Sequence, residues 1–190
     1  MRKNLVIAYS QQRKNLCKCG DVEQDHMFII ANYLYNIMIM DSRFNCYIIP
    51  KLPAAPDGVE NLKTDNARLT KSINMSNEFI RVNGNVGYHL ELHSDSGGYK
   101  KGCSGLYLSE KGKNFLLPII KELADLTPFK DGNLLYYRND LSALKRTTAV
   151  AGVIEVSFHD TIEGAKWIHE NMNSIAVRLA NGIYKSLGRE

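Results

Sequence analysis

The chain has 190 residues, 44% of them hydrophobic and 23% charged, with a net charge of +4 from 24 basic and 20 acidic side chains. That length fits one domain with a core large enough to fold without disulfides, and the composition excludes long disorder, collagen and coiled coil. No apolar run approaches the length of a membrane span, and the modest positive charge suits an anionic partner without requiring one.

The basic residues Arg2, Lys3, Arg13, Lys14 and Lys18 cluster at the start, where no acid falls within the first 20 positions. Met1-Arg2-Lys3 followed by Leu5 to Ala8 opens like a leader. The apolar run is too short for one, and Tyr9 to Lys14 is polar. A first strand over Leu5–Tyr9 is therefore expected. The chain is expected to be made in the cytoplasm without a signal peptide and to reach any outside target by release or export.

Gln11 to Val22 reads as a polar loop. Glu23 or Asp25 then opens a helix, with Met27, Ile30, Leu34 and Ile37 at helical spacing to about Met40. Asn45 to Ile49 is a strand stopped by Pro50, and Lys51 to Asp57 is a Pro-containing loop. Val59 to Met75 predicts a polar surface helix. Tyr88 to His93 is a strand, Ser94 to Gly102 a Gly- and Ser-rich loop, and Gly105 to Leu108 a short strand. Lys111 to Leu126 is an amphipathic helix with Pro118 expected in its first turns. Val150 to Val156 is the most apolar strand. Asp160 or Thr161 caps a helix through Ile168, and a last helix carries Ile175, Leu179, Ile183 and Leu187 before Gly188.

Strands alternating with helices predict a single α/β domain, a twisted and mostly parallel sheet flanked by helices on both faces. Sites in such sheets lie beyond the carboxyl ends of the strands. No P-loop, dinucleotide fingerprint, nucleophile elbow or H-E-x-x-H is present, which removes the commonest nucleotide and hydrolase readings. The four cysteines, at 17, 19, 46 and 103, are expected as reduced thiols; Cys17-Lys18-Cys19 is too close for an ordinary zinc pair, and no second pair follows. The tyrosines are scattered, with no aromatic–basic motif, so no nucleic-acid partner is expected.

The polar residues at strand ends draw attention. His93 ends one strand and is followed by Ser94, Asp95 and Ser96. Glu155 ends the apolar strand, where an unpaired carboxylate is costly to bury. Glu23 opens the first helix. His89, Glu91 and His93 alternate and share one strand face, but three ligands on one flat strand rarely converge on an ion, so His89 and Glu91 are expected to face solvent or a helix.

Taken together, Leu90-Glu91-Leu92-His93-Ser94-Asp95-Ser96, Lys101-Gly102-Cys103-Ser104-Gly105-Leu106-Tyr107, Val153-Ile154-Glu155-Val156-Ser157-Phe158-His159-Asp160 and Glu163 to Ile168 resemble the zinc-dependent N-acetylmuramoyl-L-alanine amidases of bacterial autolysins and phage endolysins. Glu23, with Ile30, Ala31 and Leu34 behind it, fits the same pattern. The resemblance runs nearly end to end, so residues 1–190 are expected to be one amidase-like catalytic domain with no separate wall-binding domain. It implies peptidoglycan as the partner and hydrolysis of the amide between N-acetylmuramic acid and L-alanine. It implies Glu155 as the catalytic residue, Glu23 and His93 as zinc ligands, and Ser94 and Asp95 near the substrate. The glycines of the Ser94–Gly102 loop would let the backbone approach an extended stem peptide.

The family's first strand ends in Gly-His, and that His is a zinc ligand; this strand ends Ala8-Tyr9-Ser10. The third ligand is then Tyr9, a poor ligand at neutral pH, or His26, one turn beyond Glu23. Cys17 and Cys19 are further candidates. The departure predicts zinc held weakly, zinc absent, or a degenerate peptidoglycan-binding module of the same fold. A monomer without membrane insertion is expected.

Overall fold

The computed structural model describes residues 2–52, 64–97, 102–130 and 134–188. The elements run β1 (Lys3–Tyr9), α1 (Glu23–Ile39), β2 (Phe44–Ile48), α2 (Asp65–Val82), β3 (Gly87–Asp95), β4 (Ser104–Tyr107), α3 (Glu110–Leu126), β5 (Leu134–Tyr137), α4 (Ser142–Arg146), β6 (Val150–Phe158) and α5 (Ile162–Leu187). The strands form one six-stranded sheet in the order β2-β1-β3-β6-β4-β5. β2, β1, β3 and β6 are parallel, and β4 runs antiparallel to β6 while pairing parallel with β5. The fold is the expected single α/β domain with a mostly parallel sheet.

Strand alternation divides the core between the two faces. Leu5, Ile7 and Tyr9 of β1 and Leu90 and Leu92 of β3 join the large cluster that α1, α3 and α5 cover. Val6 and Ala8 turn the other way, to Ile80 of α2, while Leu106, Ala151 and Val153 meet Ala143 and Leu144 of α4. The central strands are buried on both sides, which is why they read as nearly continuous apolar runs. α3 and α5 pack closely enough that a Cβ on Gly182 would come within 2.4 Å of the Ile119 Cα.

Several expectations shift. α2 runs from Asp65 to Val82 rather than 59 to 75, because Thr64 caps it by accepting from the Ala67 N–H. It is not merely a surface helix: its buried stripe of Arg68, Ser72, Ile73, Ser76 and Ile80 covers the sheet. Residues 59–63 of the expected helix, 53–57 of the loop before it and 98–101 of the Gly-rich loop lie outside the described residues. Pro118 sits in the middle of α3, since Ser109 starts that helix earlier by accepting from the Gly112 N–H. The two expected C-terminal helices are one, α5, because no Gly or Pro interrupts the polar stretch between Ile168 and Ile175. β5 and α4 were not expected: each is four or five residues long, too short to show a period.

Candidate active site

The carboxyl ends of β1, β3 and β6 lie side by side at the centre of the sheet. Tyr9 pairs with Leu92, and His93 with Glu155. The loop after β1 leads into α1, whose first residue is Glu23. Val22 provides no side-chain cap there, so the Glu23 carboxylate at a helix N-terminus is free to turn toward the sheet.

Glu23 is 1% exposed and bonds outward from α1 on every side. Its Oε1 lies 3.1 Å from His93 Nδ1 and accepts from the Ser94 N–H at 3.2 Å, while Oε2 accepts from Asn15 Nδ2 at 2.7 Å. The other His93 nitrogen, Nε2, is 2.9 Å from Glu91 Oε1. Glu91 Oε2 meets His89 Nε2 at 3.3 Å, and His89 Nδ1 meets Ser76 Oγ of α2 at 2.8 Å. His89 and Glu91 thus face a helix, as one of the two expected alternatives had it, and both are fully buried. The alternating triad does not surround a point; it forms a chain of hydrogen bonds from α2 through β3 to α1.

That chain fixes the charges. Burial pushes Glu91 up, but hydrogen bonds from His89 and His93 override it and bring the carboxyl down to about 2. Burial likewise works against ionised Glu23, and the His93 hydrogen bond and charge, with Asn15 and the Ser94 N–H, leave it below the usual carboxylate range. For His93 burial disfavours the imidazolium, and the two flanking carboxylates raise it well above its ordinary value.

Glu155 is the opposite case. Burial lifts its carboxyl to about 8; the positive charge of His93 opposes this, and the neighbouring charges of Asp95, Glu23 and Glu91 add to it. Its Oε2 is buried without a hydrogen-bond partner. The residue lines a cavity of about 300 Å³ with Asp95, Ser104, Tyr136, Arg138 and Phe158. A neutral, unsatisfied carboxyl at the wall of a cleft beside a histidine is equipped to accept or donate a proton near neutral pH.

Ser94 is buried. Besides its N–H to Glu23, its Oγ lies 3.0 Å from His159 Nδ1. His159 also donates its backbone N–H to the Asp95 carbonyl, and its own carbonyl accepts from Lys18 N–H. Asp95 borders the cleft.

The structure does not bring Tyr9 or His26 to the Glu23–His93 pair. Tyr9 shares the sheet face of its partner Leu92, opposite to His93, and its ring packs on Phe28 with centroids 5.4 Å apart. Burial moves its phenol further above its ordinary value. The His26 ring turns instead to Cys17 and Cys19, at 3.5 and 3.9 Å.

No family model and no curated protein matches the sequence. Solved structures do. The CwlD amidase of Clostridioides difficile, solved with the GerS lipoprotein, superposes with a TM-score of 0.79 at 19% identity, over 98% of this chain and 99% of that one. The N-acetylmuramoyl-L-alanine amidase AmiC2 of Nostoc punctiforme gives 0.76 at 15% identity, over 97% of each chain. The catalytic domain of the CD27L endolysin, which targets Clostridia difficile, gives 0.74 at 22% identity, over 97% and 98%. The chain has the fold of N-acetylmuramoyl-L-alanine amidase catalytic domains.

Within this amidase fold, sequence reasoning missed Glu91 as the partner of His93, and Asn15 and Arg138. The signal for Glu91 was present in the alternation of 89, 91 and 93. Asn15 sits in a loop without periodicity, and Arg138 follows the short edge strand β5.

Proposed function

We propose that the chain hydrolyses the amide between the lactyl group of N-acetylmuramic acid and L-alanine in peptidoglycan. In this reading Glu155 is the acid–base residue, and Glu23 and His93 hold a zinc ion. The observation that carries it is the Glu155 carboxyl: half-buried, with its Oε2 unpartnered, lifted to about 8, register partner of His93 and open to a cleft.

The Glu23–His93 pair fits an ion. Their donor atoms are 3.1 Å apart, close to the separation of two ligands each about 2.0–2.1 Å from a tetrahedral zinc. Glu91 on Nε2 orients the imidazole so that Nδ1 faces Glu23. When bound, zinc supplies a Lewis acid for the scissile carbonyl and lowers the pKa of water.

The chain's own residues do the rest. Glu155 accepts the proton of the attacking water and delivers it to the leaving amine of L-alanine, a shuttle suited to a group titrating near neutrality. Asp95 and Arg138 line the cleft the stem peptide would enter. Ser94 holds Glu23 and His159 in place rather than meeting substrate directly. Exposed Arg13, Lys14 and Lys18 on the β1–α1 loop give the domain a positive edge toward an anionic wall. Among the described helices none is long and apolar enough to cross a membrane. The domain would act as a monomer after release or export.

A second reading is a peptidoglycan-binding module without turnover. It is favoured by the fact that, among the described residues, no group of three metal donors includes Glu23 and His93. Digestion of purified walls separates the two. The zinc-loaded chain is expected to release new L-alanine amino termini, and Glu155→Gln to lower that rate by ~10²–10⁴. Wall sedimentation of the protein with no new amino termini would leave the binding module.

A further inference from the structure

We propose that Cys17, Cys19 and His26 form a metal centre of their own, with Asp21 beside it, separate from the Glu23–His93 pair and suited to zinc or another thiophilic divalent ion. The ligand atoms of Cys17, Cys19 and His26 all lie within 4.8 Å of one another, and so do those of Asp21, His26 and His169. Cys17 Sγ is 3.5 Å from His26 Nδ1, Cys19 Sγ is 3.9 Å from Nε2, and Asp21 Oδ2 is 3.2 Å from Nε2. Donors around one tetrahedral zinc stand about 3.3–3.8 Å apart. Two sulfurs and one imidazole nitrogen make a three-ligand set that leaves a fourth position for water, and the sulfurs select a soft or borderline ion over magnesium or calcium.

The backbone explains how a Cys-x-Cys pair, too close in sequence for an ordinary zinc knuckle, reaches this arrangement. The Cys17 N–H donates to the Asp21 carbonyl at 2.7 Å and the Gly20 N–H to the Cys17 carbonyl at 2.9 Å. Gly20 adopts φ +98°, a conformation that glycine takes without strain. The turn folds Cys17, Cys19 and Asp21 toward the first turn of α1, where His26 is 2% exposed and Cys17 4%. From α5, the His169 ring meets His26 edge-on with centroids 5.6 Å apart and approaches Asp21 at 3.7 Å, supporting the carboxylate from outside.

The first half of the loop between β1 and α1 is tied down by Arg68 Nε on the Gln11 carbonyl and by Ser10 N–H on the Leu92 carbonyl. Its second half is held by the Lys18 N–H on the His159 carbonyl and the Leu16–Val22 bridge, with Leu16 itself 68% exposed. A bound ion would cross-link the turn and α1. It would also steady Asn15, which holds Glu23 by its carboxylate. In this arrangement His26 belongs to the loop centre and does not complete the Glu23–His93 pair.

Cobalt titration of the reduced, metal-stripped chain tests the assignment, because only thiolate ligands give an intense sulfur-to-cobalt charge-transfer band. The parent is expected to show that band together with tetrahedral d–d bands. Cys17→Ser/Cys19→Ser should lose the charge-transfer band and one equivalent of bound zinc. Glu23→Gln/His93→Ala should keep the band. Absence of the band from the parent would overturn the proposal, as would its persistence in the double serine variant, where Cys46 or Cys103 would be the source. Should the serine variant fail to fold, Cys46→Ser/Cys103→Ser decides the matter: it should keep the parent's band, and loss of the band there would overturn the proposal. None of these spectra depends on whether the chain cleaves peptidoglycan.

Discussion

Two faces of the same helix turn carry different chemistry. Glu23, the first residue of α1, reaches across to β3 and joins a chain of charges that is already satisfied: carboxylate, imidazole, carboxylate, imidazole and hydroxyl in series. His26, one turn later, faces two thiols and an exposed carboxylate on a loop that carries no regular secondary structure. The first arrangement is held by buried ion pairs without an ion. The second needs an ion to tie its donors together. A donor set embedded in a sheet is positioned by the fold, whereas one on a loop helps to position the loop.

The largest expected effect is at Glu155. Glu155→Gln should cut wall hydrolysis by ~10²–10⁴ and at the same time stabilise the metal-stripped protein. The folded carboxyl titrates at about 8, above its unfolded value. Between about 4.5 and 8 the folded state therefore holds a proton that the unfolded state has released, and stability falls as pH rises through that window. The variant should remove this slope, so that its stability relative to the parent rises steadily between about pH 5 and pH 8. Thermal melts of both proteins from pH 4 to pH 9 check it. Parallel curves would show that the Glu155 carboxyl is not held neutral by the fold.

Glu91→Ala should be next in size, and it acts on stability. Removing the carboxylate leaves His89 and His93 without their shared partner in a buried site, a loss of about 3–5 kcal/mol. The parent's Glu91 titrates at about 2, below its unfolded value. Its contribution is thus full above about 4.5 and is lost as pH falls toward 2. Denaturant midpoints at pH 7 and pH 3 measure both. An alanine variant as stable as the parent at pH 7 would mean that the sheet site does not depend on its ion pairs, which erases its contrast with the loop.

The same contrast bears on what was readable from sequence. His93 and Glu155 were legible because they end strands whose apolar runs are unmistakable, and Glu23 because it begins a helix of clear period. The sheet's parallel core followed from the same runs. β4 was legible as the short strand at Gly105–Leu108, but its antiparallel direction and the edge strand β5 were not, since four residues carry no period and pairing depends on contacts distant in sequence. The Cys17–His26 cluster was illegible for another reason. Its donors come from a turn and α1, and the positive φ at Gly20 together with the Cys17–Asp21 backbone hydrogen bond folds the two thiols onto the helix.

Tyr9→His should have a moderate effect, and only on stability. The phenol ring is fully buried against Phe28, on the face of β1 opposite to His93. An imidazole there loses apolar contact and buries an additional polar nitrogen, at a cost of about 1–3 kcal/mol. Zinc affinity at Glu23 and His93 should not rise. Calorimetric zinc titration of the Cys17→Ser/Cys19→Ser background, with and without Tyr9→His, isolates that pair. A gain in affinity would place residue 9 at the sheet site after all.

The smallest effect is expected from Thr161→Ala, which serves as a control for both regions. Thr161 caps α5, its Oγ1 accepting from the Gly164 N–H at 3.0 Å. The cap lies just beyond Phe158 and His159, and α5 also carries His169 to the loop cluster. Losing one cap should cost about 1 kcal/mol. α5 is 26 residues long and its buried stripe from Ile168 to Leu187 packs on α1 and α3, so the damage should stay within the first turn. Melting temperature should drop slightly, while the rate of wall hydrolysis and the cobalt spectrum remain those of the parent. A change in the cobalt spectrum alone would show that the start of α5 sets the position of His169 and Asp21. A change in rate alone would show that the cap acts through the strand end at Phe158, where the Glu155 cleft begins.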